Sequence, residues 1–296
     1  MPTVPAVPTV PAPTATATPP SPPPHIGVFD SGIGGLSVLA ALRRQLPGAR
    51  IRYIADTAYT PWGERSAEWV GQRCAQLAAH LIDAGAQLVL VACNTGTTQA
   101  IGALRARWPA VPFVGVEPGV KPAVAATRNG RIAVMGTSGT MRSERLQRLV
   151  ADHASTVALL RLPCPGLVEA IELSALADDA ALAPQLDQIA GALREADVDT
   201  VVLGCTHYPL VAAALQQRLG DGVQLLDTAD AVVRRVTSLL PPDAAVAAQH
   251  ASSAASLTLC STADPALLRA AARRWVDARA DASALVLPPI IEAARG

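Results

Sequence analysis

The chain has 296 residues, half of them hydrophobic, which is enough for one large domain or two ordinary ones. Its 24 Lys and Arg residues balance its 24 Asp and Glu residues, and this lack of net charge argues against a nucleic-acid partner or an anionic membrane surface. No apolar run reaches the roughly 18 residues of a membrane span. Five cysteines without framework spacing fit a reducing compartment, so we expect a cytoplasmic globular protein.

The N-terminal segment, residues 1–24, contains only Pro, Thr, Ala, Val and Ser after the first Met, which predicts a disordered, extended tail. A strand predicted at residues 25–29 then leads into the turn Asp30-Ser31-Gly32-Ile33-Gly34-Gly35. Its spacing matches neither a dinucleotide fingerprint nor a P-loop. Such a turn can bring backbone N–H groups and Asp30 to a small anionic ligand.

Strands and helices then alternate along the chain. Beyond the first strand, strands are predicted at residues 50–55, 112–116, 131–135, 156–162, 223–226 and 256–260, and in the runs that end at Cys93 and Cys205. Helical patterns follow these strands, among them residues 98–108, 175–196, 209–219 and 264–276. Residues 56–66 form a loop too rich in polar and aromatic side chains to be only a linker, and residues 282–291 receive no assignment. This alternation predicts an α/β fold with mainly parallel sheets.

Two landmarks recur at nearly the same distance. The segment from Ile26 resembles the one from Ile132, an offset of 106 residues, and Cys205 follows Cys93 by 112 residues. We therefore predict two related α/β halves. Ligands of open α/β sheets bind beyond the carboxyl ends of the strands, so each half would present a thiol at its ligand-binding edge.

The two cysteines occupy matched settings in the sequence. The run Val89-Leu90-Val91-Ala92-Cys93 and the run Val201-Val202-Leu203-Gly204-Cys205 each turn polar at the thiol and are each followed by a helical pattern. A thiol at the start of a helix should have a lowered pKa, because the helix dipole favours an anion there. Two such thiols suggest a pair that meets across one pocket.

Paired thiols suit the inversion of a stereocentre. One thiolate removes an α-proton from one face, and the opposite thiol returns a proton to the other face. Asp30 and His207 are candidates to hold or relay the thiol protons. Ser31, Asn94, Thr95 and Thr206 offer hydroxyl and amide groups for substrate carboxylates.

The motifs that contain these residues resemble, as an ordered set, those of the glutamate racemases. They are Asp30-Ser31-Gly32-Ile33-Gly34-Gly35, Pro61-Trp62-Gly63, Cys93-Asn94-Thr95, Gly115-Val116-Glu117-Pro118, Cys164-Pro165-Gly166-Leu167-Val168-Glu169 and Gly204-Cys205-Thr206-His207-Tyr208-Pro209. The resemblance runs from about His25 to Thr228. It implies a cofactor-independent enzyme that makes D-glutamate for peptidoglycan, with glutamate as its small-molecule substrate.

The same resemblance implies individual roles. Cys93 and Cys205 would be the two acid/base groups, with Asp30 assisting the first, and with His207 and Glu169 assisting the second. The substrate would be lined by Asp30, Ser31, Trp62, Gly63, Asn94, Thr95, Thr206 and His207. No metal is implied, and the Cys205–His207 spacing matches no usual zinc ligand pair. A pyridoxal phosphate enzyme would need Lys121, which is the only lysine and directly precedes a proline.

The resemblance also implies a discontinuous first domain, residues 25–117 plus 228–296, around a second domain at residues 118–227, with the active site at their interface. It leaves open whether the chain forms a homodimer or is activated by a peptidoglycan precursor. One departure concerns Trp62, since the family usually has Tyr-Gly where this chain has Trp62-Gly63. A side-chain hydrogen bond made by that tyrosine hydroxyl would be lost here.

Three other functions fit parts of the pattern. A racemase of the same fold could act on aspartate or another small acid, because the length of the substrate side chain is not encoded in motif spacing. A thiol hydrolase could use Cys205 as nucleophile and His207 as base, but it would leave Cys93 without a role. A binding protein would need neither thiol. We interpret Cys74, Cys164, Cys260 and His153 as structural residues.

Overall fold

The structure, a computed structural model, describes residues 22–176, 180–251 and 253–290. The tail predicted at residues 1–24 lies outside them except for its last three residues. The strands in the described residues are β1 (His25–Asp30), β2 (Arg50–Ala55), β3 (Leu88–Val91), β4 (Phe113–Gly115), β5 (Arg131–Gly136), β6 (Ala158–Pro163), β7 (Thr200–Leu203), β8 (Gln224–Leu226), β9 (Leu257–Ser261) and β10 (Ala282–Ala284).

These strands form two sheets in which every neighbouring pair is parallel. The larger sheet has the order β10-β9-β2-β1-β3-β4, and the smaller has the order β6-β5-β7-β8. The run β2-β1-β3-β4 in one sheet has the same order as β6-β5-β7-β8 in the other. The predicted α/β class with two related halves is therefore confirmed, and Cys93 and Cys205 follow equivalent strands, β3 and β7.

Helices cover the sheets. In the described residues they are α1 (Leu36–Gln45), α2 (Ala67–Asp83), α3 (Asn94–Arg107), α4 (Val120–Ala126), α5 (Ser138–Arg142), α6 (Glu144–His153), α7 (Leu167–Ser174), α8 (Leu182–Glu195), α9 (Ala212–Leu219), α10 (Ala229–Leu239), α11 (Pro242–Gln249) and α12 (Pro265–Trp275). Short 3₁₀ helices lie at Thr57–Tyr59, Trp62–Glu64 and Tyr208–Val211. None of these helices is both long enough and apolar enough to cross a membrane.

Burial on both faces explains why the central strands are apolar throughout. Alternate side chains of a strand point to opposite faces, and β1 sends Val28 into the core layer under α1, α10 and α12, but Phe29 into the layer under α2 and α3. The smaller sheet is covered in the same way, by α7 and α8 on one face and by α4 and α6 on the other. Continuous Val- and Leu-rich runs are typical of such doubly covered parallel sheets.

Three helix starts differ from the sequence prediction by more than one residue, and two of them lie beside a cysteine. The third is the helix predicted over residues 175–196, which begins at Leu182 and whose predicted residues 177–179 lie outside the described ones. The helix predicted from Thr98 begins at Asn94, so Cys93 is its N-cap residue. The helix predicted from Pro209 begins as a 3₁₀ turn, and α9 starts only at Ala212. The expectation that both thiols lie at an α-helix start is therefore met at Cys93 and wrong at Cys205, because a turn and the 3₁₀ segment separate Cys205 from α9.

Candidate active site

One cavity lies between the two sheets, at the carboxyl ends of β1, β3, β5 and β7. The part of the cavity that the centre of a water molecule can occupy has a volume of about 10 Å³. This is room for roughly one water. Nine of the predicted site residues line it: Ser31, Trp62, Gly63, Cys93, Asn94, Thr95, Cys205, Thr206 and His207. Thr137, Thr140 and Val168 also line it and were missed by sequence reasoning. The two threonines lie at a helix start outside the motifs, and Val168 lies inside a motif but has an apolar side chain that suggests no chemistry.

The Cys93 thiol is buried, with only 5 % of the residue exposed. It donates a hydrogen bond to Ser31 Oγ (3.4 Å) and accepts one from the Gly96 N–H (3.4 Å). Burial and the neighbouring Asp30 carboxylate nevertheless raise the pKa of Cys93 well above its usual value. The lowered pKa predicted for a thiol at a helix start is thus wrong for Cys93, because desolvation outweighs the N–H groups of α3.

Asp30 is fully buried beside Cys93, and each of its oxygens accepts hydrogen bonds. Oδ1 accepts from the N–H and the hydroxyl of Ser31, at 2.6 and 3.2 Å. Oδ2 accepts from the Gly35 N–H and, at 3.1 Å, from Thr206 Oγ1, which belongs to the other half of the chain. Burial raises the pKa of Asp30, and the nearby His207 opposes that rise. The carboxylate therefore joins the glycine-rich turn to the loop that carries Cys205.

Cys205 lies beside an imidazole–carboxylate pair. Its Sγ is 3.8 Å from Nδ1 of His207, and Nε2 of that ring is 3.0 Å from Oε1 of Glu172. Burial lowers the pKa of His207, but the hydrogen bonds to Cys205 and Glu172 outweigh it and hold the pKa well above its usual value. A protonated imidazole places a positive charge and a hydrogen-bond donor next to the Cys205 sulfur.

Glu172, rather than Glu169, is the carboxylate that the structure brings to His207. Both belong to α7, and residues three apart share one side of a helix, so their spacing alone does not separate them. Glu169 instead lines a neighbouring cavity with Cys164 and Pro165. The resemblance implied that Glu169 assists Cys205 together with His207; the carboxylate hydrogen-bonded to His207 is that of Glu172, and a role for Glu169 stays a prediction. The sequence signal for Glu172 was the apolar run Ala170-Ile171 directly before it, and both of those residues are buried.

The glycine-rich turn packs directly on this pair. Oε1 of Glu172 also accepts a hydrogen bond from the Ile33 N–H (3.2 Å). A Cβ atom at Gly34 would lie 2.3 Å from Nδ1 of His207, and one at Gly32 would lie 2.1 Å from Oε1 of Glu172. Only glycine allows the backbone of one half to approach the acid/base pair of the other so closely.

The cavity offers several groups that bind carboxylates. Helix α3 begins at the cavity wall, and its first N–H groups and dipole favour an anion. Hydroxyls of Ser31, Thr95 and Thr206 and the amide of Asn94 line the same space. In the part of the chain that the structure describes, no group of three or more His, Cys, Asp or Glu side chains is arranged to hold a metal ion.

The comparisons with known proteins come from sequence and from structure. The Asp/Glu/hydantoin racemase family profile matches residues 26–236. Glutamate racemases from Pseudomonas paraeruginosa and Pseudomonas aeruginosa are each 44 % identical to the chain, over 226 and 230 residues, which is 76 % of this chain and 85 % of either relative.

A solved structure of Escherichia coli glutamate racemase, bound to L-glutamate and the activator UDP-MurNAc-Ala, superposes with a TM-score of 0.76 at 29 % identity. It covers 90 % of this chain and is itself covered completely. A glutamate racemase isoform from Bacillus anthracis superposes with a TM-score of 0.75 at 28 % identity, over 90 % of this chain and 98 % of the other.

Proposed function

The chain belongs to the Asp/Glu/hydantoin racemase family, and from this premise we propose that it is a glutamate racemase that interconverts L- and D-glutamate without a cofactor. The observation that carries the proposal is that Cys93 and Cys205 line one narrow cavity, each beside its own carboxylate-linked partner. The 44 % identity to curated glutamate racemases supports glutamate as the substrate.

The proposed reaction is a proton transfer across the stereocentre. The thiolate of one cysteine takes the α-proton and becomes a thiol, which leaves a carbanion at the α-carbon. The thiol of the other cysteine then gives its proton to the opposite face and becomes a thiolate. Each turnover thus exchanges the protonation states of the two sulfurs, and the reverse reaction starts from the exchanged form.

The two sulfurs are assigned different helpers. His207, held by Glu172, would stabilise a thiolate at Cys205. Asp30 would accept a proton from Cys93 or return one to it. The charge of the Asp30 carboxylate favours the thiol form of Cys93. The α3 N-terminus and the hydroxyls of Ser31, Thr95 and Thr206 would bind the substrate carboxylates. A dry, narrow cavity would strengthen all of these interactions.

Three biological assignments belong to the same proposal. D-glutamate would serve peptidoglycan synthesis, and the enzyme would work in the cytoplasm, where thiols stay reduced; all five cysteines are free in the structure. The first domain would comprise residues 25–117 and 228–296, and the second would comprise residues 118–227. This division agrees with the two sheets. Light scattering during size-exclusion chromatography would distinguish a homodimer from a monomer.

The test of the reaction is α-proton exchange. Purified protein is incubated with L-glutamate in D₂O, without added cofactor, and NMR and chiral chromatography follow deuteration and the D-isomer. We expect α-deuterated glutamate and the D-isomer to form together, at rates that change in parallel. Exchange with aspartate but not with glutamate would reassign the substrate, and exchange with neither would refute the proposal.

The test of the mechanism substitutes each cysteine separately. We expect Cys93→Ser and Cys205→Ser each to abolish racemisation, because a hydroxyl is a far weaker acid than a thiol. Folding is checked by the thermal unfolding midpoint, and glutamate binding by calorimetry. Racemisation that survives Cys93→Ser would contradict the two-thiol mechanism.

A further inference from the structure

We infer that Trp62 is a positioning residue for Cys93, on which it acts through Gly96, and that a buried ion pair holds its indole in place. The inference rests on the proposed function, since it concerns the proton transfer at Cys93. It assigns work to Asp56 and Arg73, which lie outside the motifs of the reaction and beneath the cavity wall.

The ion pair is completely buried and completely bonded. Asp56 and Arg73 are 0 % and 1 % exposed. Nε and one terminal nitrogen of Arg73 donate to the two carboxylate oxygens at 2.9 and 2.6 Å. The remaining acceptor sites are used by Trp62 Nε1 at 3.2 Å and by Thr262 Oγ1 at 2.9 Å. A buried carboxylate with four donors is fixed in position, because losing any donor leaves an unsatisfied charge.

Arg73 is fixed from its other side as well. Its guanidinium lies 4.5 Å from the centre of the Tyr59 ring, and it donates to the Pro288 carbonyl at 3.3 Å. Gln76 donates to the same carbonyl at 2.9 Å. The bidentate geometry and the stacking both need arginine, whose planar fork a lysine does not reproduce.

The Trp62 indole connects the ion pair to the Cys93 thiol through its contact with Gly96. Trp62 is 1 % exposed and packs edge-on against Trp69, with ring centres 6.2 Å apart. Its benzo edge touches Gly96 so closely that a Cβ atom there would lie 3.1 Å from Cζ3 of the indole. The Gly96 N–H is the group that donates to Cys93 Sγ. The position of the indole therefore sets how far the first turn of α3 extends toward the sulfur.

Proton transfer is sensitive to this distance. A displacement of a reacting group by about 1 Å costs on the order of 100-fold in rate. Ser31 and Gly96 are hydrogen-bond partners of Cys93, and the thiol must stay within direct reach of the α-proton. Cys205 is held separately by His207 and Glu172. A substitution at Trp62 should therefore displace the sulfur of Cys93 and leave the sulfur of Cys205 in place.

The experiment measures α-deuterium isotope effects on kcat/KM for both enantiomers of glutamate. Trp62→Phe keeps an aromatic ring but removes the N–H and the benzo edge. We expect kcat/KM to fall about 10- to 100-fold, and by the same factor in both directions because the equilibrium constant of racemisation is one. The isotope effects should diverge: larger for the enantiomer that Cys93 deprotonates, and smaller for the one it reprotonates.

Glu172→Gln provides the matched comparison, since it perturbs the Cys205 side and should shift the two isotope effects in the opposite sense. If Trp62→Phe lowers kcat/KM but leaves the isotope effects of both enantiomers unchanged, the inference is overturned. Trp62 would then be a core residue only. An unmodified protein that exchanges no α-proton would instead refute the proposed function, so the two failures are distinguishable.

A second variant keeps the inference testable if Trp62→Phe unfolds. Gly96→Ala pushes on the indole from the α3 side and should reproduce the divergence of isotope effects. Gly102→Ala, in the same helix with no atom within 4 Å of the added Cβ, is the control and should leave activity unchanged. Where the double variant folds, Trp62→Phe should restore part of the Gly96→Ala loss, because Phe lacks the Cζ3 atom. Strict additivity of the two losses, or unchanged isotope effects in Gly96→Ala, would count against the contact.

Discussion

Replacing Glu172 with Gln tests the assignment of the carboxylate that supports Cys205. Oε1 of Glu172 accepts from Nε2 of His207 at 3.0 Å and from the Ile33 N–H at 3.2 Å. The residue is only 8 % exposed. A glutamine has nearly the same shape but carries no charge, so the variant removes one charge-assisted hydrogen bond to the imidazolium while it keeps the packing of α7.

The size of the effect follows from that bond. A hydrogen bond to a charged group contributes about 1.5–3 kcal/mol, which corresponds to a loss of roughly 10- to 150-fold in kcat/KM if the imidazolium is needed in the transition state. The pH profile should move too. Glu172 is one of the causes that raise the pKa of His207, so its removal should shift the alkaline limb of the profile to lower pH.

The assay measures kcat/KM in both directions across pH, with Glu169→Gln as the matched control on the same helix. We expect Glu169→Gln to stay within about threefold of the unmodified protein, because Glu169 lines the neighbouring cavity and the His207 ring is hydrogen-bonded to Glu172. A larger loss in Glu169→Gln than in Glu172→Gln would refute the geometric assignment and restore the one expected from sequence.

Two further changes test the close approach of the halves and the stability of the smaller sheet. Gly34→Ala should lower kcat/KM at least about 100-fold, since its Cβ would lie 2.3 Å from His207 Nδ1, while Gly71→Ala meets nothing within 4 Å and should be tolerated; equal activity of the two variants would contradict the closed arrangement. Asp199→Asn should cost about 1.5–3 kcal/mol of unfolding free energy, because Asp199 accepts from the N–H groups of Arg128 and Asn129 at 2.6 and 2.8 Å. Its hydrogen bonds outweigh burial and lower the pKa to about 2, so this stability is present above pH ~4 and is lost as pH falls from ~4 through ~2; an identical acid unfolding curve for Asp199→Asn would refute the assignment.

The sequence predicted the fold well where the same pattern of apolar residues recurs along the chain. The runs before Cys93 and Cys205 are apolar on both faces. For this reason the sequence alone identified them as strands in equivalent positions of the two halves. The recurrence of landmarks after 106 and 112 residues predicted two related halves, and the structure repeats one strand order in both sheets. Helix starts were less accurate, because the Cys93 side chain caps α3, which begins four residues before the predicted start, and a 3₁₀ turn at Tyr208–Val211 delays α9 to Ala212.

The chemical site was only partly legible for a physical reason. Local motifs place polar groups at strand ends, and nine of the predicted residues meet in one cavity. Contacts between residues far apart in the chain carry no local signal: Glu172 contacts His207 across 35 positions, and Asp56 pairs with Arg73 across 17. The pKa of Cys93 was predicted with the wrong sign, since the helix start is visible in sequence whereas the depth of burial and the Asp30 charge are not.

The twofold repetition of the fold does not extend to its electrostatics. Cys93 faces a buried carboxylate that raises its pKa, whereas Cys205 faces a histidine whose raised pKa keeps it positive. In the proposed mechanism the two resting forms, with the thiolate at one sulfur or at the other, are therefore not equivalent. Each enantiomer of glutamate binds productively to only one of these two forms. A difference in KM between the enantiomers, matched by an equal difference in kcat, is the kinetic form that this asymmetry must take, because their kcat/KM values are constrained to be the same.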